Sequence, residues 1–173
     1  MQELDAVRVA AKCLTHLSDA GLTVSGTSDF DAIAPAIDEM GKDYLTPKLS
    51  PVENDFTEQS AFWLLLKKES DIVGGVGARL DCLENEPVDR YWRRTYARQY
   101  PSPKGETIGR VSKALVEQVS GRLVYTGDLF VAPQVSRNIR ITRLFVLTLF
   151  SVNRTKWHFD WIYAIVRDSD LAR

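Results

Sequence analysis

The stretch YTGDLFVAPQVSRNIRIT, Tyr125–Thr142, decides the fold. Its first part continues Leu123-Val124 as a run of strand formers and ends at Pro133, which lacks the N–H a ladder needs. A short loop leads into Arg137–Lys156, a long and nearly all-apolar helical stretch, and Trp161–Val166 (WIYAIV) reads as a buried-type strand. Strand, helix and strand in that order form a βαβ unit. The first turn of its helix offers unpaired N–H groups and the positive end of a dipole, which together hold phosphate. Arg137, Arg140 and Arg143 follow at three-residue spacing. Guanidinium groups bind phosphate bidentately. The spacing points to an anion site; the alternative is a solvated arginine stripe beside a core-facing helix.

Working outward, Ala61–Lys67 (AFWLLLK) and Ile72–Leu83 (IVGGVGARLDCL) are two apolar runs joined by the polar turn Glu69-Ser70-Asp71, an antiparallel hairpin. Before them, Leu4, Val7, Ala11, Leu14 and Leu17 recur at helical spacing up to Gly21, a helix C-cap. Leu22–Ser25 is a short strand, and Asp29 is placed to cap a second helix through Ile33, Ile37 and Met40. Pro87–Tyr100 and Ile108–Val119 read as helical, with Pro101, Pro103 and Gly121 as stops. The expected fold is α/β (α+β), a mixed, mostly antiparallel sheet with helices on both faces. Residues 1–173 form one domain, with residues 1–20 an N-terminal helix and residues 87–119 a helical insertion.

At 173 residues and 45% hydrophobic content the chain can bury one sizeable core, which excludes wholesale disorder. No apolar run approaches the roughly 20 residues of a membrane span. The N-terminus carries acids where a secretory leader carries bases, so a cytoplasmic location is expected. Cys13 and Cys82 lie far apart and there are two histidines, so neither a disulfide framework nor a metal centre is expected. Charge is uneven: residues 1–60 hold four Lys/Arg against eleven Asp/Glu, whereas Gln134–Lys156 holds five basic residues and no acid. A local basic stretch on a near-neutral chain suits a confined anionic ligand better than a long polyanion. The Gly74, Gly75 and Gly77 cluster lacks the third glycine and the following helix of a dinucleotide loop, and reads instead as a strand with a bulge or close backbone approach.

These elements resemble the GNAT superfamily of acyl-CoA-dependent N-acyltransferases from Leu22 onward. The hairpin Trp63–Leu80 resembles the family's second and third strands. Leu129-Phe130-Val131-Ala132-Pro133 resembles the end of its fourth strand, and Trp161–Val166 its fifth, which splays from the fourth to admit pantetheine. Arg137-Asn138-Ile139-Arg140-Ile141-Thr142 takes the place of the family's pyrophosphate loop, with Asn138 and Arg140 where glycines are expected. The resemblance implies an acyl-CoA co-substrate, a small-molecule amine acceptor and no metal. The donor site would comprise Phe130, Val131, Ser136, Arg137, Asn138, Ile139, Arg140, Ile141 and Thr142. Val135-Ser136-Arg137 also faintly resembles a signature of the acyl-homoserine-lactone and N-acyl amino acid synthases, which use an acyl-carrier protein.

Acyl transfer to an amine needs a proton acceptor. Asp128 is the first candidate, because strand alternation places it beside Thr126 and Phe130 on one face; Tyr125 is the second, with Tyr163 weaker. The chain stops soon after the fifth strand, where the family adds a helix and two strands. Either the chain is trimmed or partner elements complete the sheet, and with the apolar first helix the second alternative predicts a homodimer or a completing partner. Two rival readings stand beside the enzyme. One is a catalytically inactive acyl-CoA sensor. The other is a single-strand nucleic-acid binder built on Asp89–Tyr100 (DRYWRRTYARQY), whose Arg90, Arg94 and Arg98 stripe lies beside Trp92, Tyr96 and Tyr100. The acidic first third of the chain disfavours nucleic acid.

Overall fold

The computed structural model describes residues 2–42, 45–100 and 108–166. Pro101, Pro103 and everything from residue 167 on lie outside them. The strands are β1 Thr23–Thr27, β2 Ala61–Lys68, β3 Asp71–Cys82, β4 Arg122–Val131 and β5 Trp161–Tyr163. They form one sheet in the order β1-β2-β3-β4-β5, antiparallel throughout except for the parallel β4–β5 pair. The helices are α1 Gln2–Asp19, α2 Ile33–Glu39, α3 Val88–Gln99, α4 Lys113–Gln118, α5 Pro133–Ser136 and α6 Ile139–Lys156. No helix among the described residues is long and apolar enough to cross a membrane.

The near-continuous apolar runs of β2 and β3 follow from burial on both faces. Phe62, Leu64, Leu66, Val76, Ala78 and Val124 pack against Ile141, Phe145 and Leu149, which line one side of α6 at four-residue spacing. On the other face Trp63 and Tyr125 pack with Ile33, Ile37 and Met40 of the α2 region and with Leu49. Leu83 and Leu123 pack with Val88 and Tyr91 of α3.

Several expectations shift. The buried stripe of α1 is Ala6, Cys13 and Leu17, whereas Leu4, Val7 and Leu14 are exposed. Ala6 and Cys13 let α1 pack closely, and Leu17 fills the end of the same stripe, while Leu4, Val7 and Leu14 lie on the side turned away. Its C-terminus closes as expected: Leu22 N–H reaches Leu17 O at 2.9 Å around Gly21, which sits at φ +74°. Helix α2 starts at Ile33 rather than at Asp29, whose N–H is bound by the Thr27 hydroxyl. Only six residues of the expected Ile108–Val119 helix are helical. β5 covers three residues, its apolar Trp161 and Ile162 are exposed, and residues 164–166 leave the sheet.

The hairpin glycines make room for side chains. Gly77 pairs across the sheet with Trp63, and a Cβ there would lie 2.7 Å from the indole and 2.9 Å from Leu49 Cδ1, both fully buried groups. Overpacking of this kind costs about 1–3 kcal/mol. We expect Gly77→Ala to lose at least that much in urea unfolding. Gly109→Ala, where nothing lies within 4 Å, should change little. Equal stability of the two variants would contradict this packing.

Candidate active site

The α2–α3 face of the sheet carries a cross-strand row, Ala61, Arg79, Tyr125 and Tyr163, contributed by β2 to β5 in turn. Between Gly77↔Gly127 and Gly75↔Phe130 one residue of β3 opposes two of β4, so Asp128 and Leu129 form a β-bulge. Asp128 takes φ +56°, a left-handed conformation that aspartate tolerates better than most residues.

The bulge breaks the alternation that would have set Asp128 beside Thr126. Instead the carboxylate turns toward the segment after α2, where it is 1% exposed. Lys42 Nζ donates to it at 2.8 Å, Thr46 Oγ at 2.8 Å and Thr46 N–H at 3.0 Å. The Thr46 side chain also lies close enough to Tyr125 to lower its pKa against the larger upward shifts. The two sequence candidates, Tyr125 and Asp128, therefore share Thr46 as a neighbour, a residue no motif singled out. Burial first, and then the Asp128 charge, push the Tyr125 hydroxyl well above the ordinary tyrosine range. It stays protonated at any physiological pH.

Beside Tyr125 lies a second cluster. Lys48 is fully buried, its Nζ 3.2 Å from Asp81 and 5.2–5.8 Å from the ring centroids of Tyr91, Tyr96, Tyr125 and Tyr163. Four aromatic faces and a carboxylate form a cage for an ammonium. Arg79 Nε donates to the other Asp81 oxygen at 2.8 Å, and Tyr163 OH donates to Asp81 at 3.1 Å. Burial pushes Lys48 down to about 8, helped by Arg79 and opposed by Asp81. Burial also opposes ionisation of Asp81, but Lys48 and Arg79 outweigh it and hold the carboxyl below its usual range. The sequence signal for this cluster was Arg79 and Asp81, two charges at i, i+2 inside an apolar strand. Nothing local marked Lys48.

β4 and β5 pair only over Leu123–Tyr125 and Trp161–Tyr163, and a Thr126 Oγ contact to Tyr163 O at 3.5 Å is the last link. Beyond it, among the described residues, Gly127–Val131 has no partner on its β5 side. Phe130 and Val131 are half-buried along this crevice. The loop that follows departs from the expectation of free N–H groups. Val135 and Ser136 N–H bind Ala132 O, Arg137 N–H binds Pro133 O, Asn138 N–H binds Val135 O, and Ile141 N–H binds Asn138 O. The Asn138 side chain caps α6 by accepting from Arg140 N–H at 3.2 Å. An asparagine thus uses the donors that glycines would leave open. The side chains of Arg137, Ile139, Arg140 and Arg143 are exposed, those of Ser136 and Thr142 half-buried and that of Ile141 buried. Arg140, Asn138 and Ile141 line a hollow of about 260 Å³ with His16 and Asp19 of α1. Among the described residues no group of three His, Cys, Asp or Glu could hold a metal ion. On α3, Tyr91 and Tyr96 are buried and Arg94 is paired with Glu86, so the aromatics face the core.

No family model and no curated protein matches this chain. Among solved structures it is similar to an aminoglycoside acetyltransferase from an uncultured soil metagenomic sample, solved with trehalose (16% identity, 89% of this chain and 83% of that one, TM-score 0.47). It is also similar to a GCN5-related N-acetyltransferase from Ralstonia eutropha JMP134 (12%, 88% and 88%, 0.47). A third is a predicted acetyltransferase from Clostridium acetobutylicum, solved with acetyl-CoA (8%, 86% and 83%, 0.47).

The buried ammonium makes stability depend on pH with a definite sign. Lys48 is depressed from 10.5 to about 8 in the folded chain. Between pH 8 and the ordinary thiol value of 9.0, the unfolded chain holds a Lys48 proton that the folded chain has lost, so stability rises with pH. Above 9.0 the buried Cys13 thiol opposes the rise, and above 10.0 the four buried tyrosines reverse it, because only the unfolded chain ionises these groups. Lys48→Met should abolish the rise and be at least as stable as wild type at pH 7, since Asp81 keeps Arg79. Urea unfolding across this range checks it; a flat wild-type profile would contradict the assignment.

Proposed function

We propose that this chain is a GNAT-type N-acyltransferase that moves an acyl group from acyl-CoA to a small primary amine. The observation that carries this reading is the crevice where β4 and β5 part, with an unpaired strand edge at Gly127–Val131 and Tyr125 at its closed end. A free edge pairs with any extended amide chain, and pantetheine is one. The side chains of Arg137 and Arg140, rather than backbone donors, would hold the pyrophosphate. In the reaction the amine nitrogen attacks the thioester carbonyl, the C–N bond forms and the C–S bond breaks. Tyr125 gives its proton to the departing thiolate and is reprotonated by the proton released from nitrogen, relayed through water in the crevice. Asp128 acts as a positioning residue: with its oxygens engaged by Lys42 and Thr46, it holds Thr46 against Tyr125.

Calorimetry with acetyl-CoA, longer acyl-CoAs and an acyl-carrier protein tests the donor. Arg140→Ala should weaken CoA binding by about 1.5–3 kcal/mol. Tyr125→Phe should lower kcat by roughly 10²–10⁴-fold with KM for acyl-CoA unchanged. Thr46→Val should lower kcat in the same sense but less. Donor binding with no turnover on any amine would favour the sensor reading. No binding of any acyl donor would remove both.

A further inference from the structure

A second cavity lies away from the donor crevice. It is a cleft of about 450 Å³ between α3 and residues 53–60, with Arg79 on its β3 side. We propose that this cleft is an anion subsite in which Arg79 and Arg98 hold a carboxylate or phosphate carried by the amine acceptor. Its assignment to the acceptor rests on the acyl-transfer reading; the anion site itself stands on the geometry below.

Charge balance is the first argument. Lys48, Arg79 and Asp81 set two cations against one carboxylate in a site where Lys48 and Asp81 are fully buried and Arg79 is 15% exposed. An unbalanced charge at low dielectric is costly, and an anion against Arg79 relieves it. Donor capacity is the second. Arg79 Nε is used by Asp81, and its Nη1 by Lys48 O and Asn54 Oδ1, which leaves Nη2 without an acceptor among the described residues. Arg94 is committed to Glu86, but Arg98, one turn further along α3, makes no ion pair among the described residues. Gln99 supplies the third. It is 6% exposed and gives its Nε2 to Asn54, and its Oε1 has no partner among the described residues, so it calls for a ligand N–H or O–H. The facing segment brings Glu53 and Asp55 to the same cleft, which favours a ligand that also carries positive charge. A zwitterion, with an anionic group and an amine, fits both walls. Arg79 is the register partner of Tyr125, so the anion would be held one strand from the proposed acid, on the same face of the sheet.

The test is calorimetry on the full chain without any acyl donor, so it reads the subsite independently of acyl transfer. The probes are β-alanine, phosphoethanolamine and ethanolamine. We expect saturable binding of at least one anion-bearing amine, with the tighter of the two identifying the anionic group, and no binding of ethanolamine. Arg98→Gln, an exposed change, should weaken that binding by about tenfold or more. Arg79→Lys, which keeps the charge but loses the forked geometry, should weaken it as well. Failure of all three probes, equal binding of all three, or unchanged binding in Arg98→Gln would overturn the proposal. Probe binding without acyl transfer would leave the anion site standing and remove only its link to the reaction.

Discussion

A carboxylate in a protein interior must be satisfied, and two of them organise this molecule. Asp128 sits in the β4 bulge with its oxygens taken by Lys42 and Thr46. Two residues beyond Thr46, Lys48 reaches Asp81 on β3. The segment after α2 is thereby pinned to the sheet at two points. At Asp128, whose cationic partner among the described residues is Lys42, breaking the pair leaves a buried charge uncompensated, at a cost of about 3–5 kcal/mol, whereas Asp81 would keep Arg79. This irregular segment is held in place by ionic hydrogen bonds and by the buried Leu49 rather than by a helix or strand.

The pinning has chemical consequences. Thr46 is set against Tyr125, and the Lys48 ammonium is set among four tyrosine rings. The tyrosine hydroxyls are kept protonated by burial, while the Lys48 ammonium is made easier to deprotonate. Acid and cation therefore share one face of the sheet beside the opening between β4 and β5. The opposite face, covered by α1 and α6, carries only packing. This division follows from the sheet's two-residue period, which sends Arg79, Asp81 and Tyr125 to one side and Val76, Ala78 and Val124 to the other.

The loop at the start of α6 solves the helix N-terminus in its own way. Where glycines would leave N–H groups bare, α5 and the Asn138 cap bind nearly all of them internally. An anion bound there would be held by exposed guanidinium side chains, which are longer and more adaptable than backbone donors but less preorganised.

The mixed sheet, the hairpin, the βαβ unit and the helices on both faces are legible in the chain alone, because apolar period and turn residues are local properties. The sequence also pointed to Tyr125 and Asp128 as residues of interest. It could not set their relation: alternation predicted the wrong face for Asp128, since a bulge is a mismatch between two strands and leaves no mark on either alone. The stripe of α1 was misassigned for a similar reason, because which of two apolar sides is buried depends on the neighbour that covers it. Only the tertiary structure brought Lys48, in a proline-flanked loop, to Asp81 some thirty residues away and to tyrosines of α3, β4 and β5. Burial of an ammonium is decided by what surrounds it, and those surroundings come from four distant segments of the chain.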